Sequence, residues 1–362
     1  MSTRIVFTVT NDCNFDQRMI RIAGTLQKAG FEVLLIGRSF ANSPALLPQP
    51  FRQKRITCRI RTGKWAYFEF NLKLFFVLLF TKVDIIGAID LDTILPCYVA
   101  SALKGTKRVY DAHELFCEMK EVVSRPSIYA IWKRIERFSV PKFKKGYTVN
   151  QYIARSFHEM YGSNYEVIRN LPVLKEDQMP SPSPEPFLLY QGAVNEGRCF
   201  ETLIPAMKEV NMPLHIYGDG NYLEQAKALV IKEGLEHKVI FKGKRLPEEL
   251  RIITPTAYAG ITLFDKDSKS NYWSLANRFF DYIHAEIPQL CVDYPVYREI
   301  NNSSNIAVLI GNPDKESIAA ALNELIQNTE LYRSLKSATI EAKQQYNWQE
   351  EEKRLVQFYQ TL

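Results

Sequence analysis

The stretch Asn271 to Pro288, Asn-Tyr-Trp-Ser-Leu-Ala-Asn-Arg-Phe-Phe-Asp-Tyr-Ile-His-Ala-Glu-Ile-Pro, holds residue types suited to an anionic ligand that also carries hydroxyls. It opens polar and then becomes helical, with Leu275, Phe279, Phe280 and Ile283 recurring as one apolar stripe. Ser274 reads as the cap, which would aim free N–H groups at whatever precedes the helix, an anion site. Asp281 lies two turns in, on another face, where a carboxylate could hold a sugar hydroxyl. An ordinary capped surface helix explains the same residues. Two acidic or basic groups elsewhere invite a similar choice. Asp90-Leu91-Asp92 could hold a divalent metal against a diphosphate, but between a strand end and a helix start Asp92 reads as an N-cap. His113, in Asp111-Ala112-His113-Glu114 after a strand, can donate a hydrogen bond or move a proton. A structural histidine is the plainer alternative.

These groups need a scaffold, and the hydrophobic pattern supplies one. Arg4 to Thr10 and Val33 to Ile36 read as strands around a helix marked by Met19, Ile22, Ala23 and Leu26, a βαβ unit that implies a parallel sheet. Residues 38–63 look like a basic, irregular excursion. Trp65 to Phe80 reads as a buried helix, or as one dipping into a membrane interface, since its longest apolar run, Leu74 to Phe80, is far below the roughly 20 residues that span a bilayer. Strands at Asp84 to Ile89, Lys107 to Tyr110 and Tyr147 to Val149 complete the first half. Pro172, Pro180, Pro182, Pro184 and Pro186 then mark a linker.

The second half restarts the pattern. Phe187 to Tyr190 leads into Gln191-Gly192-Ala193-Val194-Asn195-Glu196-Gly197-Arg198, Leu214 to Tyr217 into Gly218-Asp219-Gly220-Asn221, and Val239 to Phe241 into Lys242-Gly243-Lys244-Arg245. Gly260 to Phe264 leads into the 271–288 stretch. Four strands thus deliver glycine-rich or polar loops to one edge, an arrangement that cradles a nucleotide diphosphate. Any single loop, such as the Gly-x-Gly at 218–220, is a common turn.

A chain of 362 residues suggests two domains, and its apolar content fits a folded globular protein. Met-Ser-Thr-Arg runs straight into a strand pattern without a secretory leader, and the six cysteines are scattered singly, so a reducing cytoplasm is expected. No His-Glu-x-x-His pattern points to zinc. The net charge of +6 is unevenly placed. Arg52, Lys54, Arg55, Arg59, Arg61 and Lys64 form one acid-free cluster. Lys133, Arg134, Arg137, Lys142, Lys144 and Lys145 form a second. Such a face favours lipid headgroups, nucleic acid or a phosphorylated acceptor, or is a solvated surface.

The chain resembles GT-B glycosyltransferases, and most closely the retaining family 4 (glycosyl transferases group 1). The resemblance rests on Asn11-Asp12 through Ile22 to Gly37-Arg38, Tyr110 to Glu114, Gln191 to Leu203, Gly218-Asp219-Gly220, Ser274 to Pro288 and the Asn347-Trp348 tail. It implies an α/β protein of two Rossmann-like, doubly wound domains facing an interdomain cleft. These would be an acceptor-side domain at 1–170, a linker at 171–186, a nucleotide-sugar domain at 187–345, and a helix at 346–362 crossing back to the first domain. It implies transfer of a hexose-type sugar, with retention and without metal or other cofactor, from a UDP- or GDP-sugar to a glycan or lipid-linked acceptor in polysaccharide assembly. The setting would be cytoplasmic, with an anionic membrane surface as a further partner and nucleic acid excluded.

The same resemblance assigns roles. Arg198 matches a basic residue on the donor diphosphate, Ser274 and Leu275 the phosphate-holding loop, and Asp281 the second carboxylate of a Glu-x7-Glu motif that binds ribose. His113 matches the crevice histidine that contacts the transferred sugar. Gly192, Gly218, Asp219, Lys244, Arg245 and Asn277 join the donor contacts. Two positions depart from the family: Trp273 replaces the first motif carboxylate, and Ala193 the first phosphate arginine. Arg198, with Lys244 or Arg245, would have to offset the lost cation. The alternatives are an epimerase of the same fold, which would consume donor without acceptor, and a non-catalytic binder, which would never turn donor over. A nucleic-acid-binding protein would instead show a steep salt dependence.

Overall fold

Apolar runs of four to six residues recur along the chain, and in the computed structural model, which describes residues 2–41, 43–60, 62–175 and 180–362, they form two parallel sheets. The chain divides into two compact units, Met1–Asn170 with Glu351–Leu362, and Leu171–Glu350. The first unit holds β1 (Arg4–Thr8), β2 (Glu32–Ser39), β3 (Arg52–Thr57), β4 (Ile85–Ile89), β5 (Lys107–Ala112), β6 (Gly146–Thr148) and β7 (Glu166–Val167), in the order β3-β2-β1-β4-β5-β6-β7. The second holds β8 (Leu188–Gln191), β9 (Leu214–Tyr217), β10 (Val239–Phe241), β11 (Ala259–Thr262), β12 (Gln289–Val292) and β13 (Ala307–Ile310), ordered β10-β9-β8-β11-β12-β13. Central strands such as β4 and β8 are buried at every residue, because helices cover both faces of a parallel sheet. In each sheet the order reverses once, between β1 and β4 and between β8 and β11. Such switch points open a crevice at the carboxyl ends of the strands, where α/β folds bind ligands.

The helices follow from caps and stripes. Asp16 accepts the Met19 N–H to start the helix Gln17–Lys28, whose Met19, Ile22, Ala23 and Leu26 are buried. Asn150 caps Gln151–Tyr161, and Asp314 caps Lys315–Gln327. In the final helix, Trp348–Gln360, the residues from Glu351 onward pack in the first unit. There Tyr359 meets Phe7 and Phe31 edge-on, and Glu352 accepts from Thr25.

Two expectations for the first unit fail. Residues 52–57 are not an irregular excursion but the edge strand β3, in register with β2 from Leu34↔Arg52 to Ser39↔Thr57. An edge strand that buries only Ile56 carries no apolar alternation to betray it. The helix Gly63–Phe80 is not buried. It seats Ala66, Phe70, Leu74 and Leu78 in the core, while Trp65 and Phe68 are each 60% exposed and Phe80 81%. Arg61, counted in the first basic cluster, lies outside the described residues. Arg55 of that cluster is spent on an ion pair with Asp12.

Candidate functional site

Four loops leave the carboxyl edge of the second sheet, and backbone hydrogen bonds tie two of them into one wall. Gly192 N–H donates to the Tyr217 carbonyl at 2.9 Å and Val194 N–H to the Asp219 carbonyl at 3.0 Å. Asn221 Oδ1 accepts the Glu196 N–H, and Asn195 Oδ1 accepts the Asn221 N–H, across the pair. The approach is so close that a Cβ on Gly218 would stand 1.9 Å from the Gly192 carbonyl oxygen. Gly192 itself holds φ +116°, a conformation that favours glycine. The structure therefore brings Gly192, Gly218 and Asp219 together at the switch point.

Arg198 joins this wall to the segment after β11. Its Nη1 donates to Asn271 Oδ1 at 2.8 Å, Asn271 Nδ2 donates to Asp265 Oδ1 at 2.9 Å, and Asp265 N–H donates to the Gly197 carbonyl. The guanidinium lies over the Phe264 ring, 4.4 Å from its centre. The 271–288 stretch differs in detail from the sequence reading. A short helix, Lys269–Tyr272, precedes a break, and the main helix is Asn277–His284. Ser274 is not its cap: its hydroxyl and its N–H both turn back to the Asn271 carbonyl, so that N–H does not await an anion. The cap position is Ala276, with no side-chain capping bond, and Leu275 precedes the helix rather than joining its stripe. Asn277 opens the helix and is exposed. Asp281 is half-buried and accepts Gln191 Nε2 at 3.0 Å, which fixes it beside the end of β8. Gln191 in turn accepts from Thr254.

Arg278, one residue into that helix, was missed because a basic residue near a helix start reads as surface. It is 7% exposed, and its Nη1 donates to Tyr190 Oη at 2.9 Å and to the Gln191 carbonyl at 3.2 Å. The signal available was its place between polar Asn277 and apolar Phe279, within the stripe. Lys244 and Arg245, by contrast, are exposed after the edge strand β10, and Arg245 sits 3.6 Å from Glu249.

The first unit's switch point holds a separate cluster. Asp111, fully buried at the end of β5, takes a two-pronged bond from Arg18 Nε and Nη2, which depresses its pKa although burial alone would raise it. His113 stands between two carboxylates, with Nδ1 3.2 Å from Asp90 Oδ2 and Nε2 3.2 Å from Asp111 Oδ2. Burial would lower its pKa, but Asp111 and Asp90 outweigh burial and raise it well above the usual histidine value. The two carboxylates thus favour the imidazolium form, with each ring nitrogen facing a carboxylate oxygen. Asp92 is not a helix cap. Its carboxylate accepts from Thr10, the helix Ile94–Lys104 begins with no side-chain cap bond, and burial together with Asp90 lifts the Asp92 pKa to about 7. Asp90 holds φ 54° at the strand end, a strained setting for a residue with a side chain.

A pH signature follows for His113. A raised histidine pKa stabilises the fold fully below the unfolded-state value near 6.5, and that contribution is lost as pH rises through the folded-state value. His113→Asn is expected to lower the melting temperature of the first unit most at pH 5.5, with the gap to wild type closing in alkaline solution. A gap independent of pH would show that the imidazolium pairing contributes nothing.

Residues 174–342 match the family model described as Glycosyl transferases group 1. No curated protein matches the chain by sequence. Solved structures do match across its length. Sucrose-phosphate synthase from Thermosynechococcus elongatus is 16% identical, with 99% of each chain covered and a TM-score of 0.79. HepE of Anabaena, in complex with UDP and glucose, is 14% identical, covers 99% of this chain and 100% of its own, and has a TM-score of 0.78. WaaG, a glycosyltransferase involved in lipopolysaccharide biosynthesis, is 14% identical, covers 97% and 98%, and has a TM-score of 0.73.

Proposed function

We propose, for a chain whose residues 174–342 match Glycosyl transferases group 1 and whose fold matches solved glycosyltransferases, the transfer of a hexose-type sugar from a UDP- or GDP-sugar to a hydroxyl acceptor, with retention and without a metal. The observation that carries the reading is the convergence at the β8–β11 switch point of the Gly192 and Gly218 loops, Arg198 and the start of the helix Asn277–His284. A nucleotide sugar leaves a diphosphate behind, so the site's task is to stabilise charge that grows there as the anomeric carbon becomes oxocarbenium-like. Arg198 and the positive end of the helix supply that stabilisation. Asp281, beside the β8 end, is suited to ribose hydroxyls. The leaving phosphate itself takes the acceptor's proton, as expected for a retaining family 4 enzyme. The HepE complex with UDP and glucose supports a uridine donor. Incubation of labelled UDP- and GDP-hexoses with a lipid and glycan extract in EDTA tests the reading. Label should pass to acceptor, and donor consumed equally without acceptor would instead identify an epimerase.

The acceptor is best read as lipid-linked and held at a membrane surface. No helix among the described residues is long and apolar enough to cross a membrane. The helix Gly63–Phe80 nevertheless exposes Trp65, Phe68, Leu72, Phe76 and Phe80, spaced three and four residues apart on one face. Tyr67, on the core-facing side of that helix, meets Trp132 edge-on at 6.0 Å, and Ile131 and Phe138 of the helix Pro126–Ser139 are also exposed. Lys64 lies over Trp65, and Lys142 over Phe138. An exposed apolar helix face with a lysine at its first turn suits an anionic bilayer. Wild type is expected to co-sediment with vesicles containing phosphatidylglycerol at low salt and to be released by high salt. Changing Trp65, Phe68 and Phe76 to Ser should leave the protein in the supernatant. Equal pelleting of that variant would point to a soluble acceptor and another role for the patch.

A further inference from the structure

Arg278 presents an unusual combination for a buried cation. Arg18 in the first unit shows the ordinary solution, in which Nε and Nη2, the two donors along one edge of the guanidinium, both grip the Asp111 carboxylate. Arg278 is as deeply buried, yet its Nε and Nη2 have no hydrogen-bond partner. No acidic side chain pairs with it among the described residues; Nη1 is held by Tyr190 Oη and the Gln191 carbonyl, and the plane lies against the Tyr190 and Phe264 rings. Leaving two charged donors buried and unmatched is costly, and that edge has the geometry for two parallel bonds to a phosphate or carboxylate.

Position narrows the choice to phosphate. Gly192, the first residue after β8, would bring a Cβ within 3.3 Å of Arg278 Nη1, so a side chain there would crowd the guanidinium. Arg198 rests on the same Phe264 ring, 4.4 Å from its centre, with Arg278 at 5.0 Å. Two guanidinium groups on one ring, beside a glycine loop that admits close approach, suit the two charges of a diphosphate. The cation absent at Ala193 thus has a replacement from a different element. The exposed Lys244 and Arg245 beyond the edge strand are not needed for it.

We propose that Arg278 is a phosphate-binding residue of the donor site, clamping the nucleoside diphosphate together with Arg198; this rests on the glycosyltransferase reading above. The test is calorimetric titration of wild type, Arg278→Met and Arg278→Lys with UDP, GDP, uridine and guanosine. In the Met variant, affinity for the diphosphate that binds should fall roughly 10- to 150-fold, with affinity for its parent nucleoside unchanged. Lys, which keeps the charge and loses the fork, should fall between. Melting without nucleotide supplies the readout for a merely structural role. Because Arg278 has no acidic partner to orphan, the Met variant should melt no lower than wild type. Undiminished diphosphate affinity in Arg278→Met, or equal losses for diphosphate and nucleoside, would overturn the assignment while leaving the glycosyltransferase reading in place. Wild type that binds neither UDP nor GDP would overturn both. Should the Met variant not fold, Arg278→Lys carries the same comparison, and wild-type affinity there overturns the clamp.

Discussion

Gly218→Ala is expected to abolish donor binding. The added methyl would stand 1.9 Å from the Gly192 carbonyl oxygen and 3.2 Å from Val194, and the first of these is backbone that cannot swing aside. The loops after β8 and β9 must therefore separate by more than an ångström. Overpacking of this kind costs about 1–3 kcal/mol of stability. Misplacing a site by about 1 Å costs on the order of 100-fold in function. Gly218 has no positive φ, so the effect is one of space and not of backbone conformation. Gly311→Ala is the matched control, because nothing lies within 4 Å of a Cβ there. Calorimetry with UDP-hexose and GDP-hexose should show binding for wild type and Gly311→Ala and none for Gly218→Ala. Retained affinity in Gly218→Ala would remove the paired glycine loops from the site.

Asp92→Asn is expected to stabilise the first unit in neutral and alkaline solution and to leave it unchanged in acid. Burial and the neighbouring Asp90 raise the Asp92 pKa to about 7, against the bonds and charges of Thr10 and His113 that pull it down. Between the ordinary carboxylate value and about 7 the folded state binds more protons than the unfolded state. Stability therefore falls as pH rises through that window. Above it the strain is complete and amounts to about 4 kcal/mol. An amide carries no charge to strain. Urea unfolding followed through Trp65 and Trp132, with Trp273 and Trp348 changed to Phe, isolates the first unit. The Asn variant should match wild type near pH 4 and exceed it by pH 8. A difference of one size at every pH would mean that Asp92 ionises normally.

Most strands of both sheets were readable in the sequence because parallel strands buried on two faces leave uninterrupted apolar runs, as in β4 and β8, but β12 and β13 were not read as strands. The glycine loops were readable because they follow those runs. What escaped was decided by tertiary neighbours. β3 presents only Ile56 to the core, so its pattern resembles a loop. The helix Gly63–Phe80 is apolar on every side, and no periodicity could say which face packs and which is exposed. Ser274 has the right type and place for a cap, but a local bond to Asn271 wins over the helix start, as short polar side chains often do. Asp92 was read as a cap for the same reason. Arg278 needed the positions of Tyr190 and Phe264, some 88 and 14 residues away in sequence, before its burial could be seen.

Hydrogen–deuterium exchange of the full chain, with and without the UDP- or GDP-hexose that binds, in EDTA, tests the central claim most directly. Ligand at the β8–β11 switch point should slow exchange in residues 191–199, 217–222 and 271–280, and leave the loop 242–246 after the edge strand unchanged. If no nucleotide sugar slows exchange in the second unit, or protection appears only outside those three segments, the chain does not bind a sugar donor where its fold and its cations place one.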